Sequence, residues 1–174
     1  MLRENTRSWT VPYIPTPLKI VREMLKMARA GGDDVLYDLG CGDGRILVMA
    51  VKEFGVKKAV GYEIRGDLCE YAKSTVVGQG LQNEIRIVHG DLFHADLSEV
   101  TVITLYLNLA FNELLRPKLE HEARARTRVV SRDFEIEEWI AKRKEVFDGH
   151  EIFLYTIPES LIFSSDAKRE TILF

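Results

Sequence analysis

Residues Tyr37 to Arg45 read Tyr-Asp-Leu-Gly-Cys-Gly-Asp-Gly-Arg, three glycines at alternate positions with an acid two residues ahead of the first. Asp34 to Leu39 is a short apolar strand that carries this acid near its end, and Ile46 to Val51 opens an apolar helix that stops at Gly55. The glycines therefore join a strand to a helix N-terminus. Residues without a Cβ turn tightly and let a ligand approach the backbone, while a helix start offers free N–H groups to an anion. The expectation is a cradle for a carboxylate or a phosphate.

Spacing narrows the ligand. A dinucleotide fingerprint needs G-x-G-x-x-G, whereas Gly40, Gly42 and Gly44 read G-x-G-x-G. Asp38 would repel a pyrophosphate on the loop, but it suits an ammonium group lying beside a carboxylate. The methionyl end of S-adenosylmethionine has both groups and a sulfonium cation. This run resembles motif I of the class I S-adenosylmethionine-dependent methyltransferases, and the resemblance assigns the acid and the cofactor loop to Asp38, Gly40, Gly42 and Gly44. A bare strand-to-helix turn accounts for two glycines but not for three with the acid in register.

At 174 residues the chain is expected to be a single domain, with an N-terminal arm and helix over 1–32, a sheet core over 33–158 and a tail over 159–174. Its net charge of −3 predicts no bulk attraction to nucleic acid, so a nucleic-acid acceptor is not favoured. Cys41 and Cys69 are too few for a disulfide framework or a metal site. No run approaches 18 apolar residues, and Met1 to Asn5 lacks the apolar stretch of a signal peptide. A cytoplasmic monomer without a membrane partner is expected.

Ahead of the first strand, Val11 to Pro15 should be extended, with Thr16 capping a helix whose first residue is Pro17 and which stops at Gly31-Gly32. Further strands are predicted at Lys58–Glu63, Ile85–His89, Thr101–Leu107 and Thr127–Ser131. Lys144–Phe147 and His150–Tyr155 flank Asp148-Gly149 as a hairpin, and Thr171 to Phe174 could add an edge strand. Strands alternating with helices give an α/β fold: a doubly wound, Rossmann-like, mostly parallel sheet with a C-terminal antiparallel hairpin.

In such a sheet ligands bind beyond the carboxyl ends of the strands. Asp38, Glu63 and Asp91 all fall there. Glu63 follows Gly44 by 19 residues, where an acid can accept both hydroxyls of a ribose. Asp91 occupies the place where related enzymes set an acid facing the adenine amino group, with Leu92 or Phe93 covering the ring. The histidines show no ligand spacing and read as surface or loop residues. Arg124, Arg126, Arg128, Lys142, Arg143 and Lys144 read as solvated faces.

The methyl acceptor is a separate question. Thr104-Leu105-Tyr106-Leu107-Asn108 lacks the proline pair common in enzymes that methylate base amines, and neither cysteine stands where a pyrimidine-carbon nucleophile would be needed. The segments Val11 to Pro17, Tyr37 to Arg45, Pro117 to Glu120, and Arg128 to Ser131 followed by Phe134 to Ile136 resemble the small archaeal, Dot1-like protein-lysine methyltransferases. This resemblance implies a lysine channel built from Tyr13, Thr16 and Tyr106, and protein substrates that present lysine. The chain departs from those relatives at Arg132-Asp133, where a His-Glu pair is expected. A class I enzyme acting on RNA or a small molecule, and a silent S-adenosylmethionine-binding module, remain as alternatives.

Overall fold

The computed structural model describes residues 12–161, so the edge strand expected at Thr171 to Phe174 lies outside the described residues. Five strands run parallel: β1 (Val35–Leu39), β2 (Lys58–Glu63), β3 (Ile85–His89), β4 (Val102–Leu105) and β5 (Arg128–Arg132). The hairpin of β6 (Arg143–Phe147) and β7 (His150–Thr156) completes a seven-stranded sheet in the order β3-β2-β1-β4-β5-β7-β6. Its β7 runs antiparallel between β5 and β6. Asp148 (φ 51°) and Gly149 (φ 79°) take the left-handed conformations that a two-residue hairpin turn demands. The expected fold class is the one observed.

Both faces of the sheet are covered, and the strands show it residue by residue. Val130, Ile152 and Leu154 enter one core, with α1 (Leu18–Met27), α2 (Arg45–Phe54) and α3 (Gly66–Gly78). Their neighbours Val129, Phe153 and Tyr155 enter the other, with α4 (Leu109–Glu122). Such alternation with apolar residues on both sides is what a buried, mostly parallel sheet requires.

The start of α1 differs from expectation. The helix begins at Leu18, and its boundary residue Pro17 makes no side-chain cap. Thr16 stands one residue ahead of that boundary and does not cap; its hydroxyl accepts a hydrogen bond from Arg132. A cap contributes about 1 kcal/mol, whereas each fully buried apolar side chain contributes roughly 1.5–3 kcal/mol, and α1 buries Ile20, Val21, Met24 and Leu25. Burial therefore holds the helix without the cap. Its end also comes early, at Met27, with Arg29 turning left-handed at φ 51°. Arg128 donates to the carbonyls of Ala28 and Arg29 and pairs with Asp34, so it ties down this helix end and is no solvated basic face.

Gly61, inside β2, shapes the site from below. A Cβ there would lie 2.5 Å from Cys41 Sγ and 2.8 Å from Cys41 Cβ. Gly61→Ala is expected to destabilise the protein by about 1–3 kcal/mol through overpacking. Denaturant unfolding of the variant checks this, and a midpoint equal to wild type would refute the close approach.

Candidate active site

The carboxyl ends of β1, β2, β3 and β4 open into one cavity of about 520 Å³, within the usual range for small-molecule sites. Among its walls are Tyr13, Thr16, Asp38, Gly40, Gly42, Glu63, Asp91, Leu92 and Tyr106. Nine of the ten residues singled out in the sequence thus meet at one place. Gly44 does not line it. At φ 79° it heads α2, and a Cβ there would touch Ala72 of α3 at 3.4 Å, so this glycine serves the turn and the helix contact. Sequence reasoning missed Cys41, Asp43, Arg45, Arg65, Leu107 and Phe111, which are among the further residues of the wall.

The loop is not a cradle of free amides. Gly40 and Cys41 both donate to Tyr62 O at 2.9 Å, Gly42 donates to Glu63 at 2.9 Å, and Gly44 donates to Cys41 O at 2.9 Å. Adjacent β2 supplies most of these acceptors, which a local reading of the loop cannot see. What the loop offers is closeness. A Cβ on Gly42 (φ 54°) would lie 2.6 Å from Tyr13 Cε2, so the N-terminal arm rests directly on the glycine backbone.

Asp38 sits at the floor, 3% exposed, and accepts a hydrogen bond from Thr104 Oγ1 at 2.8 Å. Burial pushes its carboxyl up to about 7, with the Asp43 and Glu63 charges adding to the rise and the Thr104 bond opposing it. A buried acid in this condition is completed by a cation. Glu63 is fixed at both oxygens, Oε2 accepting from Gly42 N–H and Oε1 from Arg65 N–H at 2.8 Å. Asp91 accepts from Phe93 N–H at 3.0 Å through one oxygen, which orders the turn that sets Leu92 and Phe93 in the wall.

At the other end, the arm is pinned from two directions. Arg45, paired with Asp43, donates to Thr16 O at 3.1 Å. Burial and then the Asp43 carboxylate hold the Tyr13 phenol above its ordinary range. Tyr106 is half-buried against Phe134, with ring centroids 6.3 Å apart. These residues fit the expected cofactor: a buried acid for an ammonium, an acid beside the loop for a ribose, and apolar side chains for a ring.

A family profile for the ANTKMT methyltransferase domain matches residues 38–143, the stretch from the buried acid of β1 to the start of β6. The chain belongs to the ANTKMT methyltransferase family. It is an S-adenosylmethionine-dependent enzyme of the class I, seven-strand type. A protein-lysine N-methyltransferase of Saccharolobus islandicus is 48% identical over 153 residues, covering 86% of this chain and 95% of that protein. The adenine nucleotide translocase lysine N-methyltransferase of Mus musculus is 31% identical over 129 residues, 74% of this chain; this chain spans 56% of that longer protein. Among solved structures, an RNA methyltransferase from Salinibacter ruber in complex with S-adenosyl-L-homocysteine superposes with a TM-score of 0.81 at 42% identity, covering 84% of this chain and 95% of that one. Among the described residues no helix is long and apolar enough to cross a membrane.

Proposed function

We propose that this family member transfers methyl groups to lysine side-chain amines of proteins. The observation that carries the reading is the acceptor end of the cavity, where the rings of Tyr13 and Tyr106 stand in the wall beside Thr16, while the arginines of the wall, Arg45 and Arg65, are each paired with an aspartate, Asp43 and Asp67, instead of facing a phosphate. The lysine methyltransferases of Saccharolobus and mouse support the same acceptor. A second reading, transfer to RNA, is favoured by the likeness to the Salinibacter RNA methyltransferase.

In this reading Asp38 faces the ammonium of the cofactor, Glu63 its ribose, and Asp91 with Leu92 its adenine, while Gly40 and Gly42 line the cavity beside it. When bound, S-adenosylmethionine supplies an electrophilic methyl group on a sulfonium. Tyr13, Thr16 and Tyr106 line the path of the acceptor, where the methylene stem of lysine packs on rings and its nitrogen is held in line. The Tyr13 hydroxyl is turned to Asp43 and Arg45 and keeps its proton at neutral pH, so the residue contributes its ring to the stem of the lysine and takes no proton from the amine. The entering amine, whose charged form desolvation disfavours, gives its proton to solvent at the mouth of the cavity, and the arm resting on Gly42 then excludes water from the transfer.

Incubating the protein with methyl-labelled S-adenosylmethionine and a cell extract tests the acceptor. Label that protease removes and nuclease leaves is expected; label that nuclease removes would overturn the lysine reading in favour of RNA.

A further inference from the structure

β5 ends on Arg132, a guanidinium only 3% exposed. A buried cation with five N–H donors needs partners on several sides, and these come from distant parts of the chain. Nη1 donates to Thr16 Oγ1 at 3.0 Å, and Nη2 lies 3.1 Å from His150 Nδ1. Nε stands 3.1 Å from Asp133 Oδ2, an ion-pair contact too poorly aligned to be a hydrogen bond. The plane of the group lies over Tyr106, its central carbon 4.1 Å from the ring centroid. Arg132 is not part of the cavity wall, yet it grips two residues that are.

His150, expected as a surface or loop residue, stands half-buried at the start of β7, with Nδ1 3.0 Å from Asp133 Oδ2 and 3.1 Å from Arg132 Nη2. With the proton on Nδ1 the ring donates to Asp133, and Nε2, 3.4 Å from Arg132 Nη2, accepts from Arg132, so the shortfall lies at Arg132 Nε, which makes no hydrogen bond. A buried charge cluster left one bond short is a poor source of stability, since apolar side chains of similar volume often do as well or better. Its use is geometric. A planar fork that stacks on one ring while bonding a hydroxyl from another segment fixes their relative position, which the point charge of lysine cannot do.

We propose that Arg132 is the positioning residue of the acceptor channel, setting the Tyr106 ring and the Thr16 arm against each other so that the acceptor nitrogen meets the methyl group in line. This rests on the channel proposed above. Small misplacements of this kind lower turnover by up to about a hundredfold while binding persists.

The test uses full-length Arg132→Met and Arg132→Lys, with Arg132→Lys retaining the charge beside Asp133 where the methionine variant does not fold. Cofactor affinity is measured by calorimetry, and kcat and KM on whichever acceptor, lysine peptide or RNA, the wild-type enzyme methylates. Cofactor Kd is expected to stay within about threefold, kcat to fall at least about tenfold in both variants, and acceptor KM to change by less than about threefold. A folded variant with wild-type kcat would overturn the proposal, as would restoration of kcat by lysine. So would parallel losses in Kd and kcat, which would put Arg132 in support of the cofactor site. Wild-type transfer to RNA would overturn the lysine reading alone, because the comparison of variants would then be made on RNA.

Discussion

Asp38→Asn is expected to weaken S-adenosylmethionine binding by about thirty- to a hundredfold at pH 8 while making the cofactor-free protein more stable. The two effects share one cause. Asparagine keeps an oxygen to accept from Thr104 Oγ1, so the hydrogen bond at 2.8 Å survives and only the charge is removed. Toward a cationic ligand that charge contributes about 2–3 kcal/mol, and 1.4 kcal/mol is a factor of ten. Without cofactor the same charge is a burden, because burial pushes the carboxyl from 3.8 up to about 7.

The pH dependence follows with a definite sign. The folded, cofactor-free protein holds the Asp38 proton to higher pH than the unfolded chain does. This contribution to stability is fully present below about pH 4 and is lost as pH rises through about 7. Thermal melts at pH 8 should place the variant above wild type by a few degrees, with the gap closing toward pH 4. Cofactor binding has the opposite slope. A bound ammonium requires the ionised acid, so wild-type affinity should fall below about pH 7 and calorimetry at pH 6 should detect proton release. In Asp38→Asn the slope should vanish. Unchanged affinity in the variant would remove Asp38 from the cofactor site.

Tyr13→Ala is expected to lower kcat by about ten- to a hundredfold with cofactor Kd within about threefold. The ring lies on Gly42 and in the wall of the cavity, so its removal opens the acceptor end to water and leaves the amine without a surface to pack on. Tyr13→Phe should retain most activity, since the hydroxyl is turned to Asp43 and Arg45 and keeps its proton. Steady-state kinetics with calorimetry of cofactor binding checks both variants. Loss of cofactor affinity equal to the loss of kcat would mean that the arm builds the cofactor site.

What could be read from the sequence was local. The three glycines, the acids at three strand ends and the Asp148-Gly149 turn each depend on neighbours within a few positions, and the sheet gathers the acids because parallel strands end together. What could not be read depends on partners far along the chain. Thr16 is a good cap by type, but the helix boundary falls at Pro17, and the Thr16 hydroxyl meets Arg132, 116 residues away. The loop amides look free until β2 is laid beside them with the Tyr62 carbonyl and the Glu63 carboxylate. Gly44 belongs to the motif by spacing and to helix packing by position. Arg132-Asp133 stands out in the sequence only as a departure from the relatives, His150 carries no pattern, and only the pairing of β5 with β7 brings the three together.

The most direct measurement is amino-acid analysis of the labelled product. Protein methylated with labelled S-adenosylmethionine, hydrolysed to its residues and separated, should return the label as methylated lysine. Label recovered in methylated nucleosides, or on any residue other than lysine, would contradict the account.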